Sequence, residues 1–424
     1  MNCKTGKKVV LMYHRVNDTT QDYNRITVNE KNFRAQMMFL KENYLVLSVD
    51  DFLAYEGRED VVTITFDDGF ADFYQKALPI LEETEIPATI FVTTGKMDTE
   101  EELWTSEIMR LLYLNDSGCE KLSLTVMGKQ VFFPISTIEQ RGKAYRSIRQ
   151  ILMQVSGAEV EELLADMRNQ LDMDAMGRQE YLFLSHKQCK ELAEHPLITV
   201  GAHTVSHVSV GKVEDTVMEC EIQTSIEQLQ NTLSEQIRYF AYPFGSKADY
   251  SLKAIEQLRK CGIKAAFTTC SGDYKKGIHS EYEIPRVYVG NWEVDRFQKS
   301  LEVHLGLEKV SGNQGVDKVD FYMGSLDDDI ELWQSDSPII IWGTGVRGRK
   351  IRERLVKAGA AERILAFADN NPDLWDAEIE GSEVWSEAKV VHHFDAAVIV
   401  HNAMDAKIVK QLIDMGIEKI HWIV

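Results

Sequence analysis

From Val9 to Thr269 the chain alternates short β-branched and apolar runs with segments whose apolar residues recur every three or four positions. The runs Val9–Met12, Leu45–Val49, Val61–Phe66, Thr89–Val92, Ile198–Ala202, Tyr239–Tyr242 and Ala265–Thr269 have the length and composition of buried strands. Between them Phe33, Met37 and Leu40 share a helical face, and Ala77–Leu81 lies in a second helix. Met218, Ile222, Ile226, Leu229 and Leu233 line a long third one. Helical crossovers favour parallel pairing and cover both faces of the sheet. The alternation therefore restricts residues 1–305 to an α/β fold with a parallel sheet, open or closed into a barrel.

One segment breaks the rhythm. Between Asp98 and Lys187 the pattern becomes a hairpin, Leu122–Val126 and Val131–Phe133 about a turn at Met127-Gly128, followed by helices. Ser136 and Glu139 have capping-box spacing at a helix start. This reads as an insertion after a strand, either a lid or substrate wall or an extra packing layer. A chain of 424 residues exceeds what one core usually spans. Residues 306–337, with a Gly/Asn patch and the acidic triplet Asp327–Asp329, read as a linker. Pro338–Val424 then forms a compact second α/β unit.

Charge narrows the functional classes. With 47 basic and 67 acidic side chains the net charge is −20, which argues against nucleic acid and anionic lipid as partners. No run approaches the ~18 apolar residues of a membrane span. The first apolar run, Val9–Tyr13, is interrupted by His14 and Arg15 and is too short for a secretion signal, so a cytoplasmic location is expected. The six cysteines show no paired spacing, and most read as buried thiols.

The strand Val61–Phe66 ends in Asp67-Asp68-Gly69, two like charges that repel unless something positive lies near. Downstream, Ile198–Ala202 is followed by His203 and His207, four residues apart and able to face one way in a helical turn. Two histidines and one carboxylate leave open positions on a divalent ion, the pattern of catalytic zinc or a related cation. Neighbouring side chains at a strand end point different ways. Asp68 is then free to bind the ion while Asp67 takes a proton from water beside it, and Gly69 permits the tight turn.

These residues closely resemble the polysaccharide deacetylase (NodB-homology, carbohydrate esterase family 4) superfamily. Its first motif, TFDDG, matches Thr65–Gly69, and its second, His-(Ser/Thr)-x-x-His, matches His203–His207. The resemblance covers about residues 7–300. It implies a distorted (β/α) barrel of about seven strands and metal-dependent removal of acetyl groups from a carbohydrate, N-acetyl most often. It implies Asp67 as base and Asp68, His203 and His207 as metal ligands.

Two departures stand out. The family's third motif reads Arg-x-Pro-Tyr, whereas FAYPFG places Ala241 where the arginine would be, then Pro243 and Phe244. The Phe244 N–H still suits an oxyanion, since that role needs no side chain. Arg286, in EIPRVYVG, is the candidate to replace the arginine, against an ordinary surface arginine after a strand. The family's later histidine, which protonates the leaving amine, has two candidates. His304 lies late, in SLEVHLGL; His14 follows the first strand, as in permuted exopolysaccharide deacetylases, and is preferred. Trp104 and Tyr242 are either sugar-stacking platforms or core.

In the tail, SPIIIWGTGVRGRK presents a strand, then Gly343-x-Gly345-x-x-Gly348, then a helix. Further strands are expected at Ile364–Phe367, Ala396–Val400 and Lys419–Val424, with Asp369 placed 21 residues after Gly348. That context suits a phosphate at the helix N-terminus and a ribose at Asp369. The unit resembles short Rossmann-like domains of nucleotide-sugar-related enzymes. A nucleotide or nucleotide-sugar ligand and a merely structural glycine turn both remain open. So do two rivals to a deacetylase working in surface-glycan or amino-sugar assembly: a glycan-binding barrel that no longer turns over, and an enzyme whose main activity lies in the tail.

Overall fold

The computed structural model describes residues 6–19, 26–126, 128–305, 320–324, 338–390, 396–400 and 419–423. The chain divides into two compact units, Met1–Lys309 and Val310–Val424. In the first, seven strands are β1 (Lys8–Tyr13), β2 (Val61–Phe66), β3 (Ala88–Val92), β4 (Ile198–Ala202), β5 (Tyr239–Ala241), β6 (Ala265–Phe267) and β7 (Val287–Tyr288). They lie in the order β6-β5-β4-β3-β2-β1-β7, every pairing parallel. The two edges meet through the segment before β7. The Ile284 N–H donates to the Ala266 carbonyl and its own carbonyl accepts from Thr268 N–H. Val287 then pairs with Leu11 of β1. The curled parallel sheet is a distorted barrel. Of the expected strand Leu45–Val49 only Leu45–Val46 pairs, against β2, because Ser48 caps a helix that starts at Val49.

Strand periodicity sorts the side chains. Val9, Leu11 and Tyr13 of β1 and Val62, Ile64 and Phe66 of β2 pack into the large outer core beneath the helices. Val10 and Val61 turn the other way, toward Phe91, Tyr239, Ala241 and Phe267. This alternation also decides the site, because Thr63, Thr65 and Asp67 fall on the same side as Val61.

The insertion leaves after β3 and returns before β4. It comprises the helix Trp104–Tyr113, the antiparallel hairpin Lys121–Val126/Lys129–Pro134, and helices Ile138–Leu152 and Gly157–Leu171. It has its own core, including Ile108, Leu111, Leu124, Leu152 and Leu164. The capping box lies one residue later than expected: Thr137 and Gln140 cap each other reciprocally. Both pairs have the spacing; the helix begins at Ile138, which makes Thr137 the residue with free N–H groups to accept from. Of the described cysteines only Cys189 is buried, and Cys220 is exposed. No described helix is long and apolar enough to cross a membrane.

The second unit is a seven-stranded sheet: β8 (Asp320–Gly324), β9 (Ile339–Trp342), β10 (Ile364–Ala368), β11 (Glu378–Ile379), β12 (Ser382–Trp385), β13 (Ala397–Val400) and β14 (Lys419–Ile423). The order is β8-β14-β13-β9-β10-β12-β11, parallel except for β11 against β12. β8 corrects the reading of 306–337 as linker alone. Its aromatic, β-prone sequence DFYMG finds an open edge at β14, which the neighbouring Gly/Asn and acidic residues disguise. β11 and β12 carry no strand pattern in the sequence, being short and interrupted by Glu and Gly.

Candidate active site

The site forms at the C-terminal ends of β2 and β4. The Asp67 N–H continues the ladder to the Tyr13 carbonyl. The chain then turns through left-handed residues, Asp68 with φ 73° and Gly69 with φ 86°. A Cβ on Gly69 would lie 3.0 Å from Val92 Cγ1 and 3.1 Å from Val92 Cα, so both conformation and space call for glycine. The Asp68 carbonyl accepts from Thr93 N–H, and the His203 N–H donates to the Val92 carbonyl. β3 thereby ties the acidic pair to the histidine loop.

Asp68 Oδ1 lies 3.1 Å from His207 Nε2 and 3.5 Å from His203 Nε2. The imidazole centroids are 5.0 Å apart, and all three side chains are buried. His203 Nδ1 is 2.7 Å from the Ala241 carbonyl. A carbonyl only accepts, so Nδ1 carries a proton, and Nε2 is the nitrogen turned toward Asp68. Burial raises the Asp68 carboxyl, but hydrogen bonds from His203 and His207 outweigh it and hold the group well below the carboxylate range. Burial lowers the His207 imidazole despite the opposing pull of Asp68. One carboxylate and two imidazole nitrogens that lie within 4.8 Å of one another are a donor set that fits a divalent cation.

Asp67 faces a different group. Arg286 Nη1 donates to its Oδ1 at 2.6 Å and Nη2 to its Oδ2 at 2.7 Å, a fork-on-fork pair. The guanidinium is fully buried and is itself held by Thr268 O at 2.8 Å and Thr65 Oγ1 at 3.2 Å. It comes from the residue just before β7, next to β1 in the barrel and so one strand from β2. Burial pushes the Asp67 carboxyl up; Arg286, then His203 and His14, pull it down further, and the net shift is downward. Arg286 is no surface arginine. At Ala241 the family's arginine is absent, and the backbone there orients His203 instead.

His14 follows β1, and its charge lowers both Asp67 and Asp68, so it lies within their electrostatic reach. Its Nδ1 is buried without a hydrogen-bond partner. Burial lowers the His304 imidazole, and the charges that act on it are those of Asp273 and Lys7. Lys7 precedes β1, the opposite end from His14, so His304 is removed from the acidic pair. Phe244 has φ 63°, and its ring stands 4.8 Å from that of His207. The Phe244 N–H has no partner among the described hydrogen bonds. Arg149 of the insertion lies 4.9 Å over the same ring. Trp104 and Tyr242 are core residues, not sugar platforms. Trp104 is 2% exposed and donates Nε1–H to the His207 carbonyl, and Tyr242 is fully buried against Tyr250. The Thr65, Thr268 and Ala241 contacts went unread in the sequence; only alternation along β2 signals that Thr65 faces inward.

In the second unit Gly343 has φ 104° after β9, Gly345 precedes the helix Val346–Lys357 with open space beside its Cα, and Gly348 is buried in it. β9 lies between β10 and β13, where the strand order reverses. Asp369 is engaged within the protein. Its Oδ2 accepts Thr344 N–H at 3.0 Å and Thr344 Oγ1–H at 2.7 Å, and its Oδ1 accepts Asn371 N–H. The carboxylate ties together the turns after β9 and β10.

Residues 54–120 and 132–266 match the family model described as polysaccharide deacetylase, and residues 335–423 match one described as C2185-like, N-terminal. YxkH of Bacillus subtilis, whose name assigns it to the polysaccharide deacetylases, is 23% identical over 292 residues, 68% of this chain and 72% of that one. The poly-beta-1,6-N-acetyl-D-glucosamine N-deacetylase of Escherichia coli K12 is 23% identical over 67% of this chain but 36% of its own length. Among solved structures, a Streptococcus pyogenes deacetylase in complex with acetate aligns over 70% of this chain and 99% of that one, with 19% identity and a TM-score of 0.46. Through its first unit, the chain belongs to the polysaccharide deacetylase family.

Proposed function

We propose that the chain hydrolyses an N-acetyl group on an amino sugar of a glycan or glycan precursor, with a divalent cation, zinc in the first instance, held by Asp68, His203 and His207. The reading rests on one observation: Asp68 Oδ1 sits between two imidazole nitrogens while the adjacent Asp67 is gripped by a buried guanidinium. When bound, the cation supplies Lewis-acid chemistry at the acetyl carbonyl. Asp67, ionised and oriented by Arg286, keeps lone pairs free of the fork and accepts the proton of the attacking water. The Phe244 N–H donates to the developing oxyanion. His14 delivers a proton to the departing sugar nitrogen, so that amide and water become acetate and amine. Acetate release from N-acetylated oligosaccharides, measured with and without chelator, tests this. Activity unaffected by chelation, or retained in Asp67→Asn, refutes it.

The rival reading of an inactive glycan-binding barrel depended on the arginine missing at position 241; Arg286 meets that need. We further propose that the second unit takes a phosphate-bearing ligand, a nucleotide or nucleotide-sugar, at the turn Gly343–Gly348, on the strength of the strand-order reversal at β9. Calorimetric titration of the whole chain with uridine diphosphate-N-acetylglucosamine is expected to give heat that Gly345→Asp abolishes; no heat from the wild type refutes it.

A further inference from the structure

Between the two histidines, Thr204, Val205 and Ser206 leave strand geometry. Thr204 has φ 65° and His207 φ 56°, conformations that L residues avoid. A loop of this kind keeps its shape only when its surroundings impose it. Thr204 Oγ1 accepts the His207 N–H at 3.0 Å, and the Trp104 indole donates to the His207 carbonyl at 3.2 Å. These grip one end, and the Thr204 and Val205 carbonyls accept the Thr94 and Gly95 N–H groups at 3.1 and 2.8 Å.

The middle is gripped from outside. Glu221, on the helix Asp215–Leu233, is 7% exposed. Its Oε2 accepts the N–H groups of Val205 and Ser206, each at 2.9 Å, and its Oε1 accepts the Ser206 hydroxyl. Among the described residues no lysine or arginine forms an ion pair with it. Both of its oxygens accept from the loop. The insertion closes on the same point. A Cβ on Gly157, at the start of the helix Gly157–Leu171, would lie 2.3 Å from Ser206 Oγ, 2.7 Å from Ser206 Cβ and 3.3 Å from Glu221 Oε1. Only glycine lets that helix approach. An open cavity of about 690 Å³ lies beside this junction, lined by Lys96, Glu161, Cys220 and Glu221 among others.

We propose that Glu221 is a positioning residue for the cation site: it fixes the loop that aims His203 and His207, and Gly157 holds the loop's other side. This rests on the reading of Asp68, His203 and His207 as a cation site. Without Glu221 the loop N–H groups turn to water, the left-handed residues relax, and part of the cation's binding energy goes into reordering the loop. Outer-shell partners of this kind typically change metal affinity 10- to 100-fold.

The test is zinc affinity of the full-length chain, by competition with a chromophoric chelator, alongside urea unfolding of the metal-free protein. Glu221→Ala is expected to weaken zinc binding about 10- to 100-fold. Glu221→Gln keeps an acceptor for the two N–H groups and turns its amide toward the Ser206 hydroxyl, so its loss is expected to be smaller. Gly157→Ala, which displaces Ser206, is expected to weaken zinc as well. Activity lost by Glu221→Gln should return with added zinc, which a general loss of stability would not produce. His203→Ala separates the two layers of the argument. If it binds zinc as tightly as wild type, the cation site itself is wrong. If it abolishes binding while Glu221→Ala, or Gly157→Ala should the former not fold, stays within twofold of wild type, the role given to Glu221 is overturned.

Discussion

Replacing Arg286 with methionine keeps most of the side-chain volume and removes every donor. Two bonds to Asp67, of 2.6 and 2.7 Å, are lost inside a site where arginine and aspartate are 0% and 2% exposed. Breaking a buried ion pair by removing one partner costs about 3–5 kcal/mol if the orphan stays charged. Asp67 has a way out, since it can bind a proton. In the wild type its carboxyl lies below the ordinary 3.8, because Arg286, His203 and His14 outweigh burial. Its contribution to stability is therefore present above pH 3.8 and lost only as pH falls through the lower folded value. In Arg286→Met the largest of those opposing influences is gone and burial pushes the carboxyl upward. The linkage then reverses, and stability is lost as pH rises through the raised value. The same proton silences the base. Each unit of upward shift is about 1.4 kcal/mol and a tenfold loss of ionised Asp67 below the new value. The acid limb of kcat/KM for acetate release should move to higher pH by at least about one unit, with partial recovery in alkali. Arg286→Lys should fall between, retaining charge without the fork. An unchanged pH profile in Arg286→Met, with the protein folded, would refute the assignment of Arg286 as the group that orients and ionises Asp67.

Three further outcomes follow from the geometry. Gly69→Ala must adopt φ 86° with its Cβ against Val92, and should lose roughly 1–2 kcal/mol in urea unfolding together with most activity. Burial, opposed by Arg15, pushes Asp72 up to about 6, so its stabilising contribution is full below pH 3.8 and lost as pH rises through about 6. Unfolding curves of Asp72→Asn should lack that component between pH 4 and 6, and identical pH dependence in both proteins would count against it. In the second unit, Asp369→Ala frees the Thr344 N–H and hydroxyl and should destabilise by about 1–3 kcal/mol, read as a lower urea midpoint for that unit's transition.

The acidic pair and the histidine loop were legible because each is a short motif at the end of a strand, and strands announce themselves by composition. Asp67 keeps the side of Val61 by the period-two alternation of Val61–Phe66, and Asp68 departs from it at the left-handed turn. Other features are set by the tertiary structure. Whether Trp104 is core or a sugar platform stayed open because a sequence does not say that its indole is spent on the His207 carbonyl. The capping box slipped by one residue because Ser136–Glu139 and Thr137–Gln140 fit the same spacing. β8 hid in a polar stretch because an edge strand is stabilised by the neighbour it finds, here β14, and not by its own pattern.

What the amino-acid sequence determined alone is local: which runs become strands, where helices start, and which residue types stand at the strand ends, all set by interactions within a few residues. The tertiary structure decided the partners. Arg286 meets Asp67 across 219 positions because β7 lies beside β1 and β1 beside β2. Asp369 meets Thr344 because β9 and β10 are neighbours. Such encounters depend on the order in which strands pair around a sheet, and that order is chosen by the burial of the whole core, which no short window of sequence contains.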